Sequence, residues 1–430
     1  VIDAVTIQGY RMTMHSRRLE IFGPYLLLLA TCVAGWWFKA HCGASWIGDE
    51  QYITGCYSDA VPFWGLRGVA AGQIPYVEAR IEYPVLTGAL IWVEGLIARA
   101  IGGAGADAAD FLFVVALVNT VLAFAVLRMM ERAGVPASRR WWWAGAPPMV
   151  LYLGHNWDML AVALAVAAVL AARRGEALSA AALAAIGTAA KLFPILLLPL
   201  LGLQTLLRGG ESWRERIRSA CIMTVVAISF WAMLNVPVAV RSFDHWSEFY
   251  TFSRERGGTA AAVWEIMAAQ GWWASDIAAR NLWSFVAFTG GAAAIVLLGW
   301  RRHGGQAWVL FTPVLAWFLL TNKVYSPQFD LWLYPFLLLT SRRLWPVAWF
   351  VAGDLAAYWA EFWFFASPGG GGMGVTQAHI AIAAAFRAAA MLWIIVDAVR
   401  SPAPEWLTAR ALTPPPATSP QPEGRPRPIG

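Results

Sequence analysis

Apolar runs of membrane-crossing length recur along almost the whole chain, and no other feature constrains its fold as much. A bilayer core of about 30 Å needs roughly 20 apolar residues in a helix. The first run is 21–38. Others lie near 110–128, 141–154, 157–172, 177–190, 192–207, 217–240, 282–300, 306–321, 329–340, 344–366 and 380–399. Only closed barrels and helices satisfy the backbone inside lipid, and these long apolar runs carry no strand alternation. They predict an all-α polytopic membrane protein with about 12 transmembrane helices.

Composition agrees. Hydrophobic residues make up 59% of the 430 and charged residues 13%, about half the usual quarter. So few charges cannot cover a water-soluble surface. Intrinsic disorder is excluded for most of the chain, and four Cys are too few for a secreted disulfide scaffold. A net charge of +6 would point a soluble protein towards nucleic acid. Here the placement of the basic residues matters more, and no nucleic-acid partner is expected.

That placement orients the chain. The segment 84–103 is apolar but carries Glu94 and Arg99. If it crossed the membrane, the cluster Arg128, Arg132, Arg139 and Arg140 would lie outside. If it lies on the outer surface as an amphipathic helix, every Arg cluster falls inside: Arg17/Arg18, Arg128–Arg140, Arg173/Arg174, Arg208–Arg218, Arg301/Arg302, Arg342/Arg343 and Arg400. The second arrangement is preferred. It gives a cytoplasmic N-terminus (1–20), a transmembrane domain (21–400) and a first extracytoplasmic loop at about 41–109 bearing membrane-surface helices. The tail 401–430 holds nine of the 24 Pro and reads as a disordered cytoplasmic extension. Val1 reads as an alternative start codon, with Met12 or Met14 as the other starts, and no function is placed before Arg17.

The chemistry-bearing residues gather on the outer side. The first loop is too long for a simple connection and is rich in acids, Trp and Tyr. The chain has three Lys, namely Lys39, Lys191 and Lys323, and all fall at outer helix ends. An ammonium there suits the phosphate of a lipid head group. Lys191 lies in "AAKLFP", Lys323 beside Tyr325 and Gln328 in "TNKVYSPQFD", and Asn156 and Asp158 in "GHNWD". With Arg280 these are the candidate donor-binding groups. A carboxylate taking a proton from an acceptor hydroxyl, and cations receiving a phosphate leaving group, make up the parts of a transfer reaction.

"YSDAVPFWGLRGVAAGQIPYVEARIEYPVLTG" resembles the first-loop signature of polyprenyl-phosphate-sugar-dependent glycosyltransferases of the GT-C fold. "NWDMLAVALAVAAVLAARRG", "AAKLFPILLLPLLG" and "NKVYSPQFDLWLYPFLL" resemble the pattern of the actinobacterial glycosyltransferase family 87 group. The likeness covers roughly 45–340. It implies a GT-C-like fold in the plasma membrane, with the active site on the extracytoplasmic face. It further implies a polyprenyl-phosphate mannose or arabinofuranose donor, a glycolipid or glycan acceptor, and inversion at the anomeric carbon. The first-loop acid that acts as base falls on Asp59, and Asp49–Glu50 resembles a second acidic pair of such enzymes. Glu82 and Tyr83 are then the expected acceptor contacts. No cofactor is firmly implied, and a divalent metal is left open. The sequence departs from the common pattern in reading Tyr83-Pro84-Val85 for Tyr-Pro-Pro, and it lacks a His-rich donor site: His41, His155, His245 and His379 are the external ones.

Plainer roles compete for each residue. Asp59 and Asp158 stand where they can cap helices, and Lys191 can snorkel to the interface. Cys42 and Cys56 share the external loop, as a disulfide or as two thiols; Cys32 and Cys221 lie within spans and are expected to be inert. Asp354, Glu361, Arg387 and Asp397 fall inside the late spans. As an ion path they would favour a transporter or flippase of lipid-linked sugar; as ion pairs between helices they are structural.

Overall fold

The computed structural model describes residues 2–366 and 373–408, with side chains from Leu19 onward. Among these residues the protein is helical throughout, with no strand beyond an isolated bridge between Pro75 and Ala79. The first part comprises α1 (Ile2–Ala40), α2 (Glu50–Ile53), α3 (Ala60–Leu66), α4 (Val85–Gly102), α5 (Ala108–Arg132), α6 (Ala137–Ala144) and α7 (Pro147–Tyr152). Next come α8 (Asp158–Arg173), α9 (Ala177–Thr188), α10 (Leu197–Leu206), α11 (Trp213–Arg241), α12 (Phe243–Glu255) and α13 (Val263–Ala269). The last part is α14 (Ile277–His303), α15 (Phe311–Thr321), α16 (Asp330–Thr340), α17 (Trp345–Ala366), α18 (Gln377–Arg400) and α19 (Glu405–Thr408).

Among the described residues, six segments are long and apolar enough to cross a membrane: Leu19–Ala40, Val85–Gly105, Ala108–Arg132, Trp213–Arg241, Ile277–Thr321 and Gln377–Arg400. The other apolar runs fold differently from twelve simple spans. The run 141–154 breaks at Gly145–Pro147 into α6 and α7, because a residue before proline is steered out of the helical region. The run 192–207 is a 3-10 turn at Phe193–Leu196 leading into α10, with Pro194 at the turn. The helix α9 has 12 residues and α16 has 11, so each reaches only about 16–18 Å at 1.5 Å per residue. These short helices are the centre of the core: α8 and α16 are buried over most of their length. Apolar periodicity alone does not separate a short buried helix from a lipid-crossing one, but length does.

The bundle has two chemically distinct ends. At the lower end, Tyr25 on α1 donates to Glu131 on α5 at 2.6 Å, and at the upper end Gly43 packs against Leu112 and Ala109. The two helices are therefore antiparallel. Arginines hold the lower end by donating to exposed helix-end carbonyls, as the free acceptors of a C-terminus require. Arg139 donates to Ser341 O at 2.7 Å, Arg173 to Ala133 O at 2.7 Å and Arg216 to Leu206 O at 3.2 Å. The expected tail begins later than position 401. Arg173 also donates to Trp406 O and Leu407 O, and Leu407 is 1% exposed, so α19 docks on the bundle. The remainder of that tail lies outside the described residues.

The helix α4 meets the length criterion for a span, yet both its ends lie at the upper end of the bundle. Leu86 N and Thr87 Oγ1 donate to Ala189 O and Ala190 O, just past the top of α9, at 2.8 and 2.7 Å. Gly102 lies against Asp110, in the first turn of α5. Between these points Glu94, fully buried, accepts from Trp157 Nε1 at 2.6 Å.

The late helices carry a buried ion pair. Arg387 on α18 donates to Asp330 at the start of α16 at 2.8 Å, with both side chains at most 1% exposed. Asp354 accepts from Tyr152, and Glu361 accepts from Ala261 N at 3.2 Å. Asp397, in contrast, sits in the last turn of α18 and accepts from Ser401.

Candidate functional site

The upper end is organised by a covalent and ionic clamp. Cys42 and Cys56 form a disulfide, Cα atoms 6.3 Å apart, which settles the alternative of two free thiols. Lys39, fully buried, donates to Gly55 O and to Tyr358 Oη, each at 2.8 Å. Together they fix the chain immediately before Tyr57, Ser58 and Asp59. Asp59 N then donates to His155 O at 2.8 Å, tying this loop to the α7–α8 connection.

Asp59 stands at the N-cap of α3, but its side chain makes no capping bond. Both of its carboxylate oxygens face tyrosines. Tyr57 donates to Oδ1 at 2.8 Å and Tyr83 to Oδ2 at 2.7 Å. Burial pushes the Asp59 carboxyl above the usual carboxylate range; the Tyr83 and Tyr57 hydroxyls and then the Lys191 charge pull it back, while Asp158 pushes it up. A carboxylate with raised basicity, held by neutral donors, is suited to taking a proton from a hydroxyl.

Asp158 is likewise not a cap. Its backbone N, at the first residue of α8, donates to Asn156 Oδ1 at 3.0 Å. The Asp158 carboxylate receives Lys191 Nζ at 2.6 Å and Trp332 Nε1 at 2.7 Å, and is 1% exposed. Lys191 lies over the rings of Tyr83, Trp332 and Phe329, at 4.6, 5.5 and 5.8 Å from their centroids. This is a cation caged by aromatic faces and anchored by a buried carboxylate. Tyr83 joins the two halves: one ring face meets Lys191 and the hydroxyl meets Asp59.

The backbone is strained to present Tyr83. Tyr76 has φ +64°, a conformation that an aromatic residue rarely adopts, and its hydroxyl donates to Tyr83 O at 2.9 Å and Pro84 O at 2.8 Å. Gly88 makes room for that ring, since a Cβ there would fall 2.1 Å from Tyr76 Oη.

A second cation, absent from the sequence-derived candidates, faces the same space. Arg256 follows α12, and its guanidinium is lowered in pKa by burial against the opposing charge of groups including Asp59. It packs over Phe252 at 5.2 Å, and among the described residues its guanidinium has no carboxylate or carbonyl partner. Lys323 Nζ donates to Arg254 O at 2.8 Å; burial and then Arg256 lower its pKa. His155, 2% exposed, lies tilted against the Tyr57 ring at 5.3 Å, and its Nδ1 has no partner among the described residues. Burial, then the Lys39 and Lys191 charges, hold it neutral.

The structure thus brings Asp59, Tyr83, Lys191, Asp158 and Asn156 together, with Lys323 linked through Arg256. It places Tyr325 elsewhere: its hydroxyl donates to Asp330 in the buried charge network, and Arg387 lies over its ring at 3.9 Å. Arg280 is paired with Glu265. Glu82 takes Arg67 in a two-bond pair at 2.7 and 2.8 Å. Gln328 is half-buried and accepts from Asp330 N through its backbone carbonyl; Asp49 and Glu50 are half-buried at the start of α2, and among the described residues neither their carboxylates nor the Gln328 amide has an ion pair or hydrogen bond. The one sequence signal for Arg256 was a basic group in a segment assigned to the outer side, away from the other arginine clusters. No family model matches this chain, and no curated protein matches it.

Proposed function

We propose that this chain is an integral-membrane, GT-C-like glycosyltransferase. It moves a sugar, mannose or arabinofuranose, from a polyprenyl-phosphate donor to a glycolipid or glycan acceptor. The upper end faces the outside of the plasma membrane, and the lower, arginine-rich end faces the cytoplasm. The short helices pack inside a frame of long ones, and α4 lies along the outer surface.

One observation carries the reading: Asp59, a half-buried acid of raised basicity held by two tyrosine hydroxyls, stands beside a caged lysine and within electrostatic reach of Arg256, whose side chain has no anionic partner among the described residues. Asp59 accepts the proton of the acceptor hydroxyl as its oxygen bonds to the anomeric carbon. The bond from that carbon to the phosphate oxygen breaks on the opposite face, inverting the configuration. The electron pair leaves with polyprenyl phosphate, whose added charge falls to Arg256 and Lys191. Membranes with and without the protein, given radiolabelled polyprenyl-phosphate sugars, test this. A new labelled glycolipid only where the protein is present supports the reading, and its absence with every such donor removes it.

Arg256→Ala should weaken donor use about 10- to 100-fold, because a desolvated charge-assisted contact to phosphate is worth about 1.5–3 kcal/mol. The fall should appear in donor KM and in kcat, with acceptor KM almost unmoved. Among the described residues the Arg256 guanidinium leaves no hydrogen-bond or ion-pair partner orphaned, so steady-state kinetics on the variant read the ligand contact.

The pH profile provides another check. Asp59 must be ionised to act, and burial raises its pKa, so the acid limb of kcat/KM should lie above the range of an ordinary Asp, about 3.9. Tyr83→Phe removes a hydrogen bond that favours the ionised form. The acid limb should then move to higher pH; a limb that stays in place would detach Asp59 from the titration.

A second reading, a transporter or flippase of lipid-linked sugar, draws on the buried charges of the late helices. Asp354 Oδ2 and Glu361 Oε2 have no hydrogen-bond partner. The pairing of Arg387 with Asp330 gives those charges a structural role, and the acid–cation cluster of Asp59, Tyr83 and Lys191 at the upper end favours transfer over passage.

A further inference from the structure

Beside the Asp59–Tyr83 cluster lies an open groove of about 370 Å³, formed by the end of α3, the loop that follows it and α12. Its polar lining is Arg67, Gln73, Glu78, Arg80, Glu82 and Glu248. Its floor touches the catalytic candidates. Arg67 packs over Phe63, Phe63 meets Tyr83 edge-on at 5.6 Å, and Glu82 directly precedes Tyr83 in the chain.

The charges in this groove are already matched. Arg67 is held by both oxygens of Glu82, and Arg80 lies 3.4 Å from Glu248. Glu78 accepts from Ile74 N at 2.8 Å. Three carboxylates stand against two guanidiniums, so the groove repels phosphate. Gln73 folds over Gly68, whose φ of +69° and lack of a Cβ let the side chain lie at 2.0 Å from where that atom would be. The exposed Gln73 side-chain amide has no hydrogen-bond partner among the described residues. The result is a volume of ligand-pocket size lined by paired charges with spare lone pairs and N–H groups, and by a free amide. Vicinal hydroxyls, which donate and accept at once, match such a lining better than an anion or a bare hydrocarbon.

We propose that this groove is a subsite for an uncharged polyhydroxylated group, a sugar ring of the acceptor, which it delivers towards Asp59. The assignment rests on the glycosyltransferase reading for the word acceptor, but the binding chemistry stands on the groove alone. The groove supplies orientation and no chemical step: Arg80, Glu248 and Gln73 are positioning groups.

The test uses the full-length protein in lipid nanodiscs and four probes: methyl α-mannopyranoside, methyl α-arabinofuranoside, inorganic phosphate and trilysine. Binding is read by saturation-transfer NMR and by the shift in thermal unfolding. At least one glycoside should bind, and phosphate and trilysine should not. Arg80→Ala with Glu248→Gln, and separately Gln73→Ala, should each weaken the glycoside about tenfold. In a transfer assay the same variants should raise acceptor KM and leave donor KM unchanged. Arg80 is 64% exposed in its side chain, so its loss leaves the fold intact. Absence of glycoside binding, equal binding by the variants, or binding of phosphate or trilysine in its place overturns the proposal. Transfer with an unchanged acceptor KM in the variants would remove the groove and leave the enzyme. Variant-sensitive glycoside binding without transfer from any polyprenyl-phosphate sugar would remove the enzyme and leave the groove.

Discussion

Asp59→Asn should leave the protein folded and lower sugar transfer by about 10²- to 10⁴-fold, the range that general-base catalysis supplies. The amide is nearly isosteric. Its Oδ1 still accepts from a tyrosine hydroxyl, and the backbone bond from residue 59 to His155 O is unaffected. What is lost is the ability to take a proton. The neutral side chain also removes a half-buried, desolvated charge, so thermal stability should hold or rise slightly. The contrast between intact stability and collapsed turnover is the signature; donor KM should change little, since Asp59 does not face the phosphate. Near-normal turnover would transfer the base to Asp49 or Glu50, whose carboxylates are uncommitted. A variant that is merely unfolded would show itself by a lost unfolding transition in detergent.

The second large effect is on stability. Arg387→Ala should cost about 3–5 kcal/mol, because breaking a fully buried ion pair leaves an uncompensated charge. Asp330 would lose its cation while still receiving Tyr325, and the buried Asp354 and Glu361 nearby would lose the only guanidinium of that network. The double variant Asp330→Asn with Arg387→Met should recover most of the loss, since it removes both charges and keeps the volume. Urea or thermal unfolding in detergent, compared across wild type, single and double variants, measures it. Recovery marks the pair as structural. If the single variant were as stable as wild type while turnover changed, the late-helix charges would belong to a transport path.

Much of this architecture was legible in the residues, and the failures have physical reasons. The apolar runs specified a helical protein with membrane-crossing helices, and the segment after α1 folds into the short helices α2 and α3. The number of crossing helices did not follow, because 141–154 or 329–340 is equally apolar whether it meets lipid or protein. Only Pro147, Pro194 and the short lengths distinguish them. Asp59, Lys191 and Asp158 stood out as unusual charges in an apolar context, and they do converge. Their competing role as helix caps was resolved only by the side-chain geometry. The partners were not legible. Tyr57 and Tyr83 reach one carboxylate from positions 24 or fewer residues away, and Trp332 reaches Asp158 across 174 residues. Arg256 escaped because Arg elsewhere in the chain anchors the opposite end, while Lys was the rarer residue and drew attention for that reason. Tyr325 was grouped with Lys323 by adjacency in sequence, yet the turn at Ser326–Pro327 sends its ring inward to Asp330.

The measurement that bears most directly on the central claim follows the sugar itself. Purified protein is reconstituted into sealed liposomes with a polyprenyl-phosphate sugar labelled at the anomeric carbon and a glycolipid fraction as acceptor. The account predicts that label leaves the polyprenyl phosphate and appears in the glycolipid with inverted anomeric configuration, and that Asp59→Asn abolishes this. Label that stays on the polyprenyl phosphate while moving from one leaflet to the other, equally in both proteins, would contradict it.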